Sequence, residues 1–180
     1  MVKRDIFRQL LLLVLLILGI IGLRVWLFEP VRITSTMAND YIKRNDVIIA
    51  LKNTELKHGE FVLYEHEGKE YVSRIIALEE ETATYLDNVL YRNQKIVRED
   101  YLELIPEQEY YTEDLTIETL TGGEFQVIPK GKILVLNDNR MDRNDSRSFG
   151  LIDQSDIIGR LSFRISPLSG FGFIETGLTQ

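Results

Sequence analysis

An uninterrupted apolar run near the amino end of the chain constrains the fold more than any other feature. Residues 10–23 contain only Leu, Val, Ile and Gly, and Val25–Phe28 continues the run after Arg24. A helix of these nineteen residues is about 28 Å long, close to the ~30 Å hydrocarbon core of a bilayer. The Trp26 ring favours the headgroup level at the far end, and Arg24 can reach the same interface. We therefore predict a transmembrane anchor over residues 1–28, which include a short amino-terminal tail.

Two alternative interpretations of the apolar run are a cleaved secretory signal and the core helix of a soluble protein. A cleaved signal has a shorter apolar core and small residues at its cleavage site, and residues 22–29 offer no such site. A core helix is rarely apolar on every face over fourteen residues. Since Lys3, Arg4 and Arg8 precede the run, the positive-inside rule places the amino terminus in the cytoplasm. We expect a single-pass protein of the cell membrane whose remaining residues are extracellular.

Charge and composition exclude several classes of function. Residues 1–28 carry four basic residues and one Asp, a net charge of +3, so the total of −7 leaves −10 on residues 29–180. Nucleic-acid binding needs a basic surface, and we therefore expect no nucleic-acid partner. The absence of cysteine excludes disulfides, thiolate catalysis and Cys-ligated metal. Two histidines, His58 and His66, are too few for a His-based zinc site, so we expect no metal and no cofactor and interpret both as solvated.

Residues 29–180 predict one all-β domain. Short segments rich in β-branched and aromatic residues are bounded by turn residues, at residues 46–51, 61–64, 71–78 and 132–136. Val89–Tyr91 and Lys95–Val97, joined by a turn, predict a hairpin. Residues 171–174 are interpreted as a last strand, with a membrane-contacting segment as the alternative, and residues 110–111 as packing tyrosines. The predicted fold class is mainly β: one transmembrane helix followed directly by an all-β extracytoplasmic domain.

A series of short motifs runs through this domain in a fixed order. Residues 137–140 read Asn-Asp-Asn-Arg and residues 143–150 read Arg-Asn-Asp-Ser-Arg-Ser-Phe-Gly. These segments resemble the Gly-Asp-Asn-Arg and Ser-x-Asp-Ser-Arg-x-x-Gly motifs of the type I signal peptidases. Upstream, residues 36–37 (Thr-Met) match a Ser-Met pair, and residues 71–76 (Tyr-Val-Ser-Arg-Ile-Ile) match Tyr-Val-Lys-Arg-Val-Ile. Further matches keep the same order over nearly the whole chain: residues 45–48, 59–62, 90–94 and 127–131. The resemblance implies a signal-peptidase-like fold.

The same resemblance implies a serine–lysine protease, and the two catalytic positions are substituted in this chain. In such a dyad a serine hydroxyl attacks the signal-peptide carbonyl, and a buried neutral lysine takes its proton. Thr36 matches the serine and Ser73 matches the lysine. Threonine can act as a nucleophile, but a serine hydroxyl has no useful basicity near neutral pH. Lys69 is about 13 Å from Ser73 along a strand, and Ser35, beside Thr36, would face the opposite way. We therefore predict that Thr36 and Ser73 are degenerate, inactive catalytic positions.

Other residues near the predicted site also depart from the family pattern. Met37 is retained, but residues 38–40 read Ala-Asn-Asp in place of x-Pro-Thr, and residues 79–81 are three glutamates in place of a Pro-Gly-Asp turn. Arg143 stands where the family has a serine that helps to orient the lysine. A cation beside the former lysine position would oppose a second buried ammonium, so we expect Arg143 to disfavour a restored lysine.

The scaffold positions of the motifs, by contrast, are retained. Asp138, Asp145, Ser146 and Arg147 match the family's motif residues. A carboxylate–guanidinium network that holds the loops is the simplest interpretation of these residues, since arginine binds carboxylates through two parallel hydrogen bonds. A direct role in binding is the alternative. A retained scaffold with a lost dyad is the pattern expected of a repurposed protease.

This pattern resembles the degenerate signal-peptidase-like proteins that accompany sortase-assembled pili in Gram-positive bacteria. The resemblance implies an accessory, chaperone-like role in pilus assembly, with pilin subunits or a pilin-polymerising sortase as partners beside the membrane. Only seven residues separate Phe28 from Thr36, at most about 25 Å, which keeps the site close to the membrane. Two alternatives stay open: a working signal peptidase with Thr36 or Ser35 as an atypical nucleophile, and a receptor that binds signal peptides without cutting them.

Overall fold

The amino-terminal helix is the longest element of the protein. The computed structural model describes residues 2–39, 41–103 and 112–177, so the expectations for Asp40 and for residues 110–111 lie outside the described residues. Helix α1 spans Val2–Leu27. Its stretch Ile6–Leu27 is long and apolar enough to cross a membrane, and none of that stretch is buried inside the protein.

Twelve strands, all paired antiparallel, build the rest of the described chain. In chain order they are β1 (Phe28–Arg32), β2 (Val47–Leu51), β3 (Phe61–His66), β4 (Lys69–Ala77), β5 (Ala83–Leu86), β6 (Val89–Arg92), β7 (Lys95–Val97), β8 (Leu115–Thr116), β9 (Lys132–Leu136), β10 (Ile152–Asp153), β11 (Ile157–Ser166) and β12 (Gly172–Phe173). The main sheet has the order β1-β2-β11-β3-β4-β9-β10, with β12 beside β11. A smaller sheet has the order β7-β6-β5-β8. The mainly β fold class is therefore confirmed.

Within the described residues, three single-turn helices interrupt the strands: α2 (Asp100–Glu103), α3 (Ile117–Leu120) and α4 (Ser146–Phe149). Two 3-10 turns, Gln154–Asp156 and Leu168–Gly170, lie on either side of β11. Thr116 caps α3 and Asp145 caps α4, each through a side-chain oxygen that accepts a backbone N–H of the first turn. The sequence analysis missed these helices because four residues are too few to produce a helical period.

The predicted strands agree with the observed ones to within one or two residues at most ends. The predicted hairpin is the β6–β7 pair, with Leu90 opposite Val97 and Arg92 opposite Lys95. The predicted last strand is β12, in which Phe173 lies opposite Phe163 of β11. The phenylalanines of this segment stay exposed even though the strand is paired: Phe171 is 59% exposed and Phe173 is 77% exposed.

Buried side chains cover both faces of the central strands. On β3, Phe61 and Leu63 belong to one core cluster, whereas the alternating Val62 and Tyr64 belong to another. A third cluster joins the main sheet to the smaller sheet. Ser73 of β4 lies opposite Val62 of β3. Since alternate side chains of a strand point to the same face, Ser73 shares its face of the sheet with Val62 and with Tyr64, whose hydroxyl it contacts. The position that corresponds to the catalytic lysine is therefore inside the protein.

The domain holds the end of α1 directly, without a linker. The Lys52 N–H donates to the Leu27 carbonyl at 2.9 Å, and the Asn53 amide donates to the Trp26 carbonyl at 3.3 Å. The Lys52 ammonium also pairs with Glu29 at 2.7 Å. These donors satisfy carbonyls that the last turn of a helix leaves without partners. The anchor therefore passes straight into β1, and β1 leads to the loop that carries Thr36.

Candidate functional site

The loop after β1 exposes the hydroxyl that corresponds to the catalytic nucleophile. Ile33, Met37 and Ile42 are buried at 5% exposure or less and fix the loop on the core. Between them Ser35 and Thr36 are exposed, and the Thr36 Oγ1 shares a hydrogen bond of 2.8 Å with the Thr34 Oγ1. The loop thus holds a hydroxyl in the open, with a neutral hydroxyl as its hydrogen-bond partner.

Ser73, which occupies the position of the base, is only 1% exposed. Its hydroxyl donates to the Asn137 Oδ1 at 2.7 Å. The Tyr64 hydroxyl lies 3.1 Å from the Ser73 Oγ, and it must donate there because the serine proton is directed at Asn137. Burial raises the pKa of Tyr64 well above its ordinary value, so this phenol stays protonated. The residue at the base position is a neutral alcohol with a neutral partner on each side.

Asn137 is a site residue that the sequence analysis did not select. Its side-chain oxygen accepts a hydrogen bond from the Ser73 hydroxyl, and its side-chain nitrogen donates to the Asn144 carbonyl at 3.3 Å. Its backbone N–H donates to the Asp145 Oδ2 at 2.8 Å. A signal was present in the sequence, because Asn137 stands where the similar motif has glycine. Sequence alone does not say which way its side chain points.

Asp145 and Arg147 form a buried ion pair beneath this loop. The Asp145 side chain is fully buried, and its two oxygens accept from the Arg147 Nε at 2.9 Å and Nη2 at 2.6 Å. The Arg147 Nη1 also donates to the Arg140 carbonyl at 2.6 Å. Ser146 accepts the Val135 N–H at 3.0 Å and so connects the start of α4 to β9. These contacts hold residues 137–147 in one conformation.

A second buried ion pair lies on the opposite face of β4. The Arg74 guanidinium donates to both oxygens of Asp138, at 2.7 and 2.6 Å, and both side chains are at most 5% exposed. The guanidinium lies between the rings of Phe61 and Tyr101, 4.1 and 3.9 Å from their centroids. It also donates to the Thr176 carbonyl, which ties the carboxyl-terminal segment to the core. Asp138 thus contacts the scaffold, and its ion-pair partner is the buried Arg74.

Comparison with known proteins assigns the fold and the ordered motifs to one family. The family described as "Signal peptidase, peptidase S26" matches residues 5–166. The chain belongs to this signal peptidase family. It is 37% identical over 132 residues to signal peptidase IB of Staphylococcus aureus strain MRSA252, which covers 70% of this chain and 69% of that protein. It is 36% identical over 115 residues to signal peptidase I of Bacillus caldolyticus, 62% of each chain.

A solved structure of the family agrees with the fold. The crystal structure of a signal peptidase I from Enterococcus faecalis V583 superposes with a TM-score of 0.53 at 33% sequence identity. The match covers 59% of this chain and 96% of that one. The signal-peptidase-like fold predicted from the motifs is therefore confirmed.

In the described part of the chain, the side-chain hydrogen bonds of Thr36 and Ser73 are all with neutral groups. Among the described residues, none of the hydrogen bonds or ion pairs joins Thr36 or Ser73 to a lysine, nor Thr36 to Ser73. Lys69 is exposed at the β3–β4 turn, where it lies opposite His66, whereas Ser73 lies opposite Val62. Four residues of a strand separate the two side chains, as the sequence predicted.

Arg143 lies in a different environment from the one expected for it. Its guanidinium is half exposed and pairs with Glu113 at 2.6 Å. The side chain that meets Ser73 is Asn137, not Arg143. A surface carboxylate neutralises the arginine while leaving it hydrated, which avoids the desolvation that a place beside Ser73 would require. The expected repulsion of a restored lysine by Arg143 therefore has no support in these contacts.

Arg140 and Glu99 form a third buried ion pair that the sequence analysis did not predict. The Glu99 Oε1 accepts from the Arg140 Nη2 at 2.5 Å and from the hydroxyls of Tyr85 and Tyr101 at 2.8 and 2.5 Å. Burial raises the pKa of both tyrosines well above the ordinary value, so both remain donors. The Arg140 Nη1 donates to Thr112 at 2.7 Å. The group connects the smaller sheet to residues 137–147.

The two histidines and the acidic turn have structural contacts. His58 pairs with Glu81 at 2.8 Å, and His66 stacks on Phe149 with the ring centroids 4.2 Å apart. Each histidine is partly exposed and also contacts one partner, so neither side chain is fully solvated. Glu81 also accepts the Leu78 N–H at 2.8 Å and so closes the turn that replaces Pro-Gly-Asp. In the part of the chain that the structure describes, no cluster of three or more acidic or histidine side chains could hold a metal ion.

Proposed function

We propose that this chain is a catalytically silent, membrane-anchored member of the signal peptidase family that acts as an accessory, chaperone-like factor in sortase-dependent pilus assembly. One observation carries the first half of this proposal. The residue at the base position is Ser73, a buried alcohol whose hydroxyl donates a hydrogen bond to Asn137. A dyad needs at that position a group that accepts a proton from the nucleophile, within about 2.6–3.2 Å.

The chemistry of the two hydroxyls explains why the substitution is expected to silence the site. Ser73 presents a neutral oxygen that already accepts from Tyr64, and protonating an alcohol at neutral pH is strongly unfavourable. Thr36 has the Thr34 hydroxyl as its partner, which is no stronger a base than Thr36 itself. General-base catalysis contributes about 10²–10⁴-fold to such reactions. Without it, cleavage of a signal peptide should fall below useful rates.

The retained features support a binding role. The three buried ion pairs described above hold the loops of the family scaffold in place without taking part in chemistry. Strand β1 ends the main sheet and leads directly to the Thr36 loop. The open edge of a terminal strand offers backbone donors and acceptors to an extended peptide. A pilin subunit or a pilin-polymerising sortase is the partner we propose, in keeping with the resemblance to pilus-associated homologues.

The proposed location follows from the anchor. The apolar helix Ile6–Leu27 has the length and composition of a membrane span. Lys3, Arg4 and Arg8 precede it, so we propose a cytoplasmic amino terminus and an extracellular β domain. The direct passage from α1 to β1 keeps the Thr36 loop near the membrane surface, where membrane-bound pilins and sortases also lie.

A cleavage assay tests the catalytic half of the proposal. Purified full-length protein in liposomes is mixed with a preprotein, alongside an active family member as the positive control. We expect no processing by this chain. Processing that disappears in Thr36→Ala or in Ser35→Ala would contradict the proposal and identify the nucleophile. A working peptidase is the second candidate function, because the hydroxyls of both residues are exposed. Binding of the signal peptide without cleavage would favour a receptor instead.

A complementation assay tests the pilus half. Deletion of the gene is expected to abolish polymeric pilin on the cell surface while secreted proteins are still processed. Plasmid-borne Thr36→Ala should restore polymers to the level of the unchanged gene, because the proposed role needs no nucleophile. Normal polymers in the deletion strain would overturn the pilus role.

A further inference from the structure

The interior position where a dyad lysine would act is filled by polar side chains. Ser73 donates to Asn137 at 2.7 Å, and Tyr64, which is completely buried, lies 3.1 Å from the same serine oxygen. Two segments of the chain thus meet at residue 73: the neighbouring strand β3 supplies the tyrosine, and the distant segment after β9 supplies the asparagine. A lysine would have to bring three further methylene groups and an ammonium into this space.

Hydrogen bonds from several groups hold the Asn137 side chain in place. Its nitrogen donates to the carbonyls of Asn144 and Asp142, at 3.3 and 3.5 Å. Its backbone N–H is held by the Asp145 carboxylate at 2.8 Å. The Asp142 carbonyl also accepts from Arg147 at 2.5 Å, so the loop that holds Asn137 is itself held by a buried ion pair. Displacing Asn137 would break several of these contacts at once.

We infer that Asn137 has taken over the place of the catalytic base and that the Ser73–Asn137 pair now anchors residues 142–147 to β4. The inference rests on the proposed function, in which the site needs no base. It adds a third silencing residue to Thr36 and Ser73. The former catalytic position has become a cross-link of the scaffold, and restoring the two dyad residues alone leaves the base position occupied.

The substitution Asn137→Gly tests whether the asparagine side chain fills the position of the catalytic base. It removes the side chain that occupies the position beside Ser73, and glycine is the residue that the similar motif has at this place. The matched control is Asn139→Gly, because Asn139 lies in the same segment but its amide oxygen accepts from the Met141 N–H at 3.0 Å instead of from Ser73. Both changes introduce glycine two residues apart, and only one opens the space.

The decisive experiment measures the cost of Ser73→Lys in three backgrounds of the full-length protein in detergent micelles: unchanged, Asn137→Gly and Asn139→Gly. Urea unfolding followed by circular dichroism gives the folding equilibrium constant of each variant. We expect Ser73→Lys to lower that constant about tenfold more when Asn137 is present than in the Asn137→Gly background, since residues in contact couple by roughly this amount. The Asn139→Gly background should behave like the unchanged one. An equal cost of the lysine in all three backgrounds would overturn the inference.

Cleavage provides the second measurement and separates this inference from the proposed function. In a Thr36→Ser/Ser73→Lys background, adding Asn137→Gly is expected to raise preprotein cleavage on the order of 100-fold, the contribution of a general base. The Asn139→Gly control should not raise it. Equal cleavage with and without Asn137→Gly would overturn the inference while leaving the silence of the unchanged chain intact. Cleavage by the unchanged chain would overturn the proposed function, whereas the unfolding comparison would still decide whether Asn137 fills the site.

Discussion

The loop that carries Thr36 and the loop formed by residues 137–147 have opposite characters, although both belong to the same family site. The Thr36 hydroxyl is exposed and bonds to a neighbouring hydroxyl. In the other loop, the Asp145 carboxylate is fully buried and accepts hydrogen bonds from Arg147 and Asn137. Substitution of an exposed hydroxyl changes the free energy of folding little, whereas removal of one partner of a buried ion pair is strongly destabilising. Substitutions in the Thr36 loop should therefore affect folding much less than substitutions of the buried ion pair.

The largest effect is expected from breaking the buried side of this comparison. Asp145→Ala removes the carboxylate that pairs with Arg147, whose side chain is 5% exposed. It also removes the side-chain cap of α4. Removal of one partner of a buried pair costs about 3–5 kcal/mol, which urea unfolding of the full-length protein should detect. Asp153→Ala is the matched control, because its half-exposed carboxylate pairs with Lys132 at the surface and should cost at most ~1 kcal/mol. Similar losses in both variants would contradict the comparison.

Alkaline pH extends the comparison to the buried tyrosines. Burial raises the pKa of Tyr64, Tyr85 and Tyr101 above the ordinary value of 10.0. Unfolded phenols ionise above that pH while the folded ones stay neutral, so stability is fully present below about pH 10 and is lost as the pH rises further. Each tyrosine contributes up to about 1.4 kcal/mol per pH unit to this loss. Unfolding midpoints measured from pH 8 to pH 11.5 should fall less steeply in Tyr85→Phe, and an unchanged slope in that variant would refute the assignment.

A smaller effect is expected at the contact between Tyr64 and Ser73. Tyr64→Phe removes the donor to Ser73 but leaves the Ser73–Asn137 hydrogen bond in place. One hydrogen bond between neutral groups is worth about 1 kcal/mol, and that loss should appear in urea unfolding. A loss several times larger would mean that the tyrosine hydroxyl holds more of the site than Ser73 alone.

The smallest effect is expected at Thr36 itself. Thr36→Ala should change the free energy of unfolding by no more than ~0.5 kcal/mol, because the side chain is exposed. Met37→Ala, one residue further, should cost about 2–5 kcal/mol because Met37 is buried in the core cluster of β1 to β4. Comparable losses at the two neighbouring residues would show that the Thr36 hydroxyl has a structural role beyond its hydrogen bond to Thr34.

The elements predicted correctly are those whose patterns are local. The apolar run of α1, the alternating segments of β2 to β4 and the turn of the β6–β7 hairpin are each visible within a dozen residues. The single-turn helices α2 to α4 were missed because their stability comes from caps and packing rather than from a repeating pattern. The pairing of Arg143 with Glu113 was not predicted, because motif alignment gives a residue's position along the chain and not the direction of its side chain.

The sequence by itself indicated the long apolar helix, the mainly β fold class and the family, since each depends on residue types at short or aligned spacings. Only the tertiary structure decided that Asn137 meets Ser73, 64 residues away along the chain, that Arg140 pairs with Glu99, and that Arg143 turns to Glu113. Such contacts depend on strand order and register, which bring distant segments to one place. Polar groups that are buried there must then find partners among whichever side chains the fold supplies.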